Sequence, residues 1–147
     1  MTTELSALDW GFQSEAEAFV AALRAQGIPF AVTSTRRTSA EQVAYYAQGR
    51  AALLAVNSLR AKAGLPPIAA PENTYKITNC DGIKTQSMHQ RGLALDVVPA
   101  VGGVPKWPRP DDPRWQAIAA VGEALGLEWG GRWTSFPDFP HWQKKGA

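Results

Sequence analysis

The chain has 147 residues, 45% hydrophobic, 10% aromatic and 19% charged, which suits a single globule that buries roughly 70% of its unfolded surface and needs no metal or disulfide merely to fold. Fifteen basic against thirteen acidic residues leave a net charge of +2, with the basic residues scattered rather than banded, so a dedicated nucleic-acid surface is not expected. The single cysteine, Cys80, excludes an intrachain disulfide and a four-thiolate zinc site and points to synthesis in a reducing compartment.

From the N-terminus, Met1 to Glu4 shows no basic segment followed by an apolar one, so no secretory signal is expected. Ser14 with Glu17 reads as a capping box, and Ala16, Phe19, Val20 and Leu23 recur at helical spacing until Gly27, predicting a first helix over 14–26. Residues 29–34 are partly β-branched and predict a buried strand whose end delivers Arg36 and Arg37. A second box, Ser39 with Gln42, opens a helix running toward Ala63 with a break at Gly49, stopped by Gly64, Pro66 and Pro67. No apolar run is longer than the six residues of 51–56, which fall inside it and are far short of the ~20 residues of a membrane span. Residues 65–86 read as loop with one strand candidate at 75–78. Alternation over 92–98 predicts a strand with Leu93, Leu95 and Val97 on one face and Ala94, Asp96 and Val98 on the other, turned by Gly102 and Gly103. Asp112 and Pro113 open a last helix through Ala124, closed by Gly126, and 127–129 and 141–143 add short strands.

Both histidines sit in patterned segments. His89 precedes Asp96 by seven residues, with Gly92 letting the chain turn into a strand, and Asp138 precedes His141 by three, with Pro140 stiffening the approach. Two imidazoles and one aspartate are the ligands a catalytic zinc uses, leaving its fourth position for water, and Asp138 is then the spare carboxylate that serves as base. Each residue also has a bland reading. A lone histidine is more often a hydrogen-bonded surface or core group. Asp96 on a strand, if buried, needs either a metal or an arginine such as Arg91. Asp138 fits a turn among Phe136, Pro137 and Pro140, and Arg37 fits a surface ion pair. No Ser/His/Asp nucleophile set is available without consuming a metal histidine. Cys80 reads as a small, partly buried side chain. Most of the tryptophans read as core or groove wall, with Trp129 and Trp133, flanking Gly130 and Gly131, placed nearest the cleft.

The segment Ser87-x-His89-x-x-Gly92-x-Ala94-x-Asp96, followed by Asp138-x-x-His141, resembles the zinc signature of the LAS metallopeptidases, the group of D-alanyl-D-alanine peptidases and phage-endolysin L-alanyl-D-glutamate peptidases. Thr33, Ser34, Arg37 and Gln42, followed by Tyr46 to Arg50, are similar to that family's arginine segment. Residues 127–133 with Phe136, Asp138, Pro140 and His141 resemble its endolysin branch. The resemblance implies that His89, Asp96 and His141 hold one Zn2+ per chain and that Asp138 is the general base, where many members carry Glu. It implies that Arg37 contacts substrate and stabilises negative charge, with Ser87 and Gln42 in support. It further implies an α+β fold of the hedgehog/D-Ala-D-Ala peptidase type, a small antiparallel sheet carrying the zinc with helices packed around it.

The resulting expectation is a single catalytic domain over 1–147 with no separate wall-binding domain. It acts as a monomeric zinc peptidase on peptidoglycan stem peptides, most like an L-alanyl-D-glutamate endopeptidase. It is made in the cytoplasm without a signal peptide and works on the cell wall after release, without inserting in a membrane. A D-alanyl-D-alanine dipeptidase or carboxypeptidase is the alternative within the same chemistry, and a catalytically silent zinc-bearing recognition domain the alternative from another class.

Overall fold

Apolar residues at helical and strand spacing form the elements in a computed structural model that describes residues 1–147. In chain order these are α1 (Trp10–Ala25), β1 (Phe30–Ser34), α2 (Ser39–Ala47), α3 (Leu53–Lys62), β2 (Ala94–Val101), β3 (Val104–Pro105), α4 (Pro113–Ala124), β4 (Glu128–Trp129) and β5 (His141–Gln143), with short 3-10 turns at Leu5–Ala7, Ala70–Asn73 and Gly130–Arg132. The chain divides into two units, one made of residues 2–36 and 92–147, the other of Met1 and residues 37–91.

The first unit holds the whole sheet. Its strands run antiparallel in the order β1-β2-β5-β4, with β3 pairing β2 as a hairpin. Phe12, Ala16, Phe19 and Leu23 of α1 meet Trp115, Ile118 and Ala119 of α4 and Leu95, Val97, Val98 and Trp142 of the sheet in one core. Phe12 and Phe19 are fully buried, so truncating either to alanine removes about 3–5 kcal/mol. The expected α+β class, with a small antiparallel sheet, is the one observed. α1 begins four residues before the sequence reading placed it: Asp9, not Ser14, is the N-cap, its Oδ2 accepting from Gly11 N at 3.0 Å. Ser14 with Glu17 falls inside the helix, a capping pattern without a helix end to cap.

In the second unit, α2 is capped one residue earlier than expected, by Thr38 and Glu41. Thr38 and Ser39 both satisfy the box pattern; the turn uses Glu41 for the Thr38 amide, which leaves Gln42 to point inward. The stretch toward Ala63 is two helices, broken at Gly49 with φ +80°, where a Cβ would run into the Tyr75 backbone. Residues 75–78 form no strand. Side-chain bonds hold the loop instead: Gly49 N donates to Asn73 Oδ1 at 2.7 Å, Arg60 Nε to the Pro66 carbonyl at 2.7 Å, and Asp81 Oδ1 accepts from the amides of Ile83, Lys84 and Thr85.

Candidate metal centre

Sheet register brings Asp96 and His141 together. They are direct partners on β2 and β5, and side chains directly opposite on antiparallel strands share one face with Cβ atoms about 4.5–5.5 Å apart. His141 Nδ1 lies 3.8 Å from Asp96 Oδ1, and the same nitrogen lies 3.9 Å from Asp138 Oδ2. The turn before β5 sets Asp138 there: its amide donates to the Gly130 carbonyl at 3.0 Å, and the Pro140 carbonyl accepts from Val97 N at 2.9 Å. Exposure separates the two acids, Asp96 at 20% and Asp138 at 39% of the side chain.

His89 sits in the turn over 88–92 that leads into β2 and is buried. Ser87 anchors that turn, its Oγ accepting from Gln90 N at 3.1 Å while its own amide donates to Gln90 Oε1 at 2.9 Å. The His89 carbonyl accepts from Arg37 N at 3.0 Å. Gln42, fully buried, ties the group together. Its Oε1 accepts from Arg37 Nη1 and from Ser87 Oγ, both at 2.8 Å, and its Nε2 donates to Thr78 Oγ1 and the Cys80 carbonyl. The Arg37 guanidinium also lies over the Tyr45 ring, 4.7 Å from its centroid, so two sides of the cation are fixed.

One ligand atom from each of His89, Asp96 and His141 lies within 4.8 Å of the other two. Donors held about 2.1 Å from one tetrahedral zinc stand about 3.4 Å apart, and the 3.8 Å between His141 Nδ1 and Asp96 Oδ1 is close to that spacing. Two imidazoles and a carboxylate are a donor set suited to zinc, and Asp138 stands outside the group of three.

The two tryptophans picked out from the sequence lie in different surroundings. Trp133 is half-buried, its ring centroid 5.1 Å from that of His141. Trp129 is buried in the core, stacked on Trp142 at 5.9 Å and donating to the Phe139 carbonyl at 2.8 Å. Trp10 and Trp107 are largely exposed. Burial pushes the Cys80 thiol up; the Arg37 charge pulls the other way and Asp81 adds to the rise. Two residues that the sequence reading passed over touch the site. Gln143 Oε1 lies 2.8 Å from His141 Nε2, and Glu128 Oε2 accepts from Gln143 Nε2 at 3.2 Å and from Trp133 Nε1 at 3.0 Å. Only the i, i+2 spacing of His141 and Gln143 on one strand face could have signalled the first of them.

A family model described as D-alanyl-D-alanine carboxypeptidase matches residues 81–144. An L-alanyl-D-glutamate peptidase of Listeria phage A118 is 40% identical over 58 residues, 40% of this chain and 21% of that protein. The peptidoglycan L-alanyl-D-glutamate endopeptidase CwlK of Bacillus subtilis is 27% identical over 136 residues, 88% of this chain and 68% of that protein. Among solved structures, the Serratia marcescens L-Ala D-Glu endopeptidase ChiX aligns with TM-score 0.56 at 23% identity, covering 95% of this chain and 82% of that one. The vancomycin-resistance D,D-pentapeptidase VanY, in complex with Zn(II), aligns with TM-score 0.52 at 17% identity, covering 93% and 72%. These two share the fold. No helix is long and apolar enough to cross a membrane. The segment matched by the family model runs from the loop before the His89 turn through β5 and contains His89, Asp96, Asp138 and His141.

Proposed function

We propose that this chain is a zinc peptidase that hydrolyses peptidoglycan stem peptides between L-alanine and D-glutamate. The observation that carries the reading is the grouping of His89, Asp96 and His141 with ligand atoms inside 4.8 Å, beside an Asp138 carboxylate 3.9 Å from His141 Nδ1. Zinc at such a site would acidify a water enough to furnish hydroxide near neutral pH and would polarise the scissile carbonyl. On this reading His89, Asp96 and His141 would hold the ion. Asp138, the more exposed of the two acids, takes the proton of the attacking water at its carboxylate and passes it to the leaving nitrogen. Arg37, fixed by Gln42 and Tyr45, presents a positive charge to the developing oxyanion or to a stem-peptide carboxylate. Ser87 and Gln42 hold the His89 turn and Arg37 in place, and Trp133 borders the site while Trp129 supports it from the core. Residues 1–147 make up the catalytic domain and act as a monomer on the bacterial cell wall.

The choice of bond rests on the two relatives named for L-alanyl-D-glutamate cleavage. The description of the matching family model favours a second reading, removal of terminal D-alanine. Mass spectrometry of purified wall peptides after digestion separates them. New D-glutamate amino termini are expected; release of D-alanine alone overturns the endopeptidase assignment. Asp138→Ala is expected to keep its zinc and lose about 10²–10⁴-fold in turnover. No product from wild type, with peptide binding unchanged in Asp138→Ala, would leave a recognition domain instead.

A further inference from the structure

We infer that Gln143 and Glu128 are positioning residues that lock the His141 imidazole in the tautomer presenting its Nδ1 lone pair to the metal. The inference rests on the zinc reading above and concerns how this chain builds one of the ligands. His141 Nδ1 faces Asp96 Oδ1 and Asp138 Oδ2, and its Nε2 faces Gln143 Oε1 at 2.8 Å. A side-chain amide can turn either end toward a ring, so that contact alone leaves the proton unplaced. Glu128 places it. A carboxylate only accepts, so Gln143 must turn its NH2 to Glu128 Oε2, 3.2 Å away, which leaves its carbonyl oxygen for the ring. His141 must then donate from Nε2, and Nδ1 carries the lone pair. Trp133, whose Nε1–H can only donate, holds Glu128 Oε2 from the other side at 3.0 Å.

From His141 through Gln143 to Glu128 the hydrogen bonds run in one direction, and the backbone supports it. Glu128 and Gln143 are direct partners in the β4–β5 register, while Gln143 and His141 project from the same face of β5, two residues apart. Gln143 is buried at 9% exposure, so water competes poorly for its oxygen. Hydrogen bonds of this kind to the second nitrogen of a ligating histidine fix ring orientation and raise its basicity, and their loss costs about 10–100-fold in metal affinity.

The test is a zinc competition titration of the 147-residue protein against a chromophoric chelator, together with the 15N shifts of His141 in the zinc-loaded state. Wild type is expected to show zinc on Nδ1 and a proton on Nε2. Gln143→Leu is expected to bind zinc about 10–100-fold more weakly. The exchange Glu128→Gln with Gln143→Glu reverses the bond between the two residues but still gives His141 Nε2 an acceptor at position 143 and Trp133 Nε1 an acceptor at position 128, and it is expected to return the affinity to at least the wild-type range, which restored packing alone would not do. Zinc on Nε2 in wild type overturns the inference even if Gln143→Leu fails to fold. Equal affinity and equal His141 shifts in wild type and Gln143→Leu overturn it too, while leaving the zinc reading intact. A wild-type protein that takes up no zinc removes that reading and this inference with it.

Discussion

Replacing Gly130 by alanine measures how closely the segment carrying Asp138 and His141 must approach its neighbour. A Cβ at position 130 would stand 2.5 Å from the Asp138 carbonyl oxygen, 3.1 Å from His141 Cβ and 3.2 Å from Asp138 Cβ. Ordinary contact begins at 3.4 Å, so the Asp138 carbonyl must retreat by 0.9 Å and His141 Cβ by 0.3 Å. The Asp138 amide is bonded to the Gly130 carbonyl at 3.0 Å, so the retreat also strains that bond. Overpacking of this kind costs about 1–3 kcal/mol in stability, and misplacing a catalytic group by about 1 Å costs about 10²-fold in rate. Gly130→Ala should therefore fold with reduced urea resistance and lose about 10²-fold in kcat/KM on a stem-peptide substrate. Wild-type kcat/KM in a folded, zinc-loaded Gly130→Ala protein would refute the assignment of Asp138.

Other outcomes follow from the packing and the charges. Gly122→Ala gains about 1 kcal/mol of helix propensity but places a Cβ against the fully buried Trp142 ring, 2.5 Å from Cη2 and 2.9 Å from Cε3. Overpacking at about 1–3 kcal/mol outweighs the gain, so urea denaturation should show a net loss, and a stabilised variant would mean that Trp142 moves aside. Burial pushes the Glu41 carboxyl up, but hydrogen bonds from Thr38 and the Met1 amine outweigh it and leave its pKa below the usual carboxylate value. A lowered folded pKa contributes stability above the unfolded pKa that is lost as pH falls through the folded one. Glu41→Gln should therefore be less stable than wild type at pH 7, with the two curves converging in acid; a gap that stays constant with pH would contradict the charge account.

The sheet was legible in the sequence because Asp96 interrupts an otherwise apolar strand and because two short strands follow the last helix. The caps of α1 and α2 were not, since Asp9, Ser14, Thr38 and Ser39 are all competent capping residues and only tertiary contact selects among them. For α1 that contact is the Asp9 amide donating to the Gly92 carbonyl at 2.9 Å, a bond across 83 residues that no local pattern announces. Residues 75–78 look like a strand in composition, yet no strand pairs with them, and Gly49 instead seats the Tyr75 backbone where a side chain would not fit. The segments around His89, Asp96 and His141 stood out by residue type and spacing. Their geometry comes from the β2–β5 register, which spacing alone does not set. Gln143 and Glu128 escaped notice because ordinary polar residues become informative only when their hydrogen-bond partners are known. Trp129 and Trp133 looked equivalent in sequence, and the turn at Gly130–Arg132 sends one ring into the core and the other against His141.

Metal analysis of the purified 147-residue protein, combined with X-ray absorption at the zinc edge, tests the central claim most directly. The account predicts one zinc per chain bound by two imidazole nitrogens and one carboxylate, sharply reduced occupancy in His89→Ala and in His141→Ala, and full occupancy in Asp138→Ala. Undiminished zinc in both histidine variants, or an absorption spectrum without imidazole scattering, would contradict it.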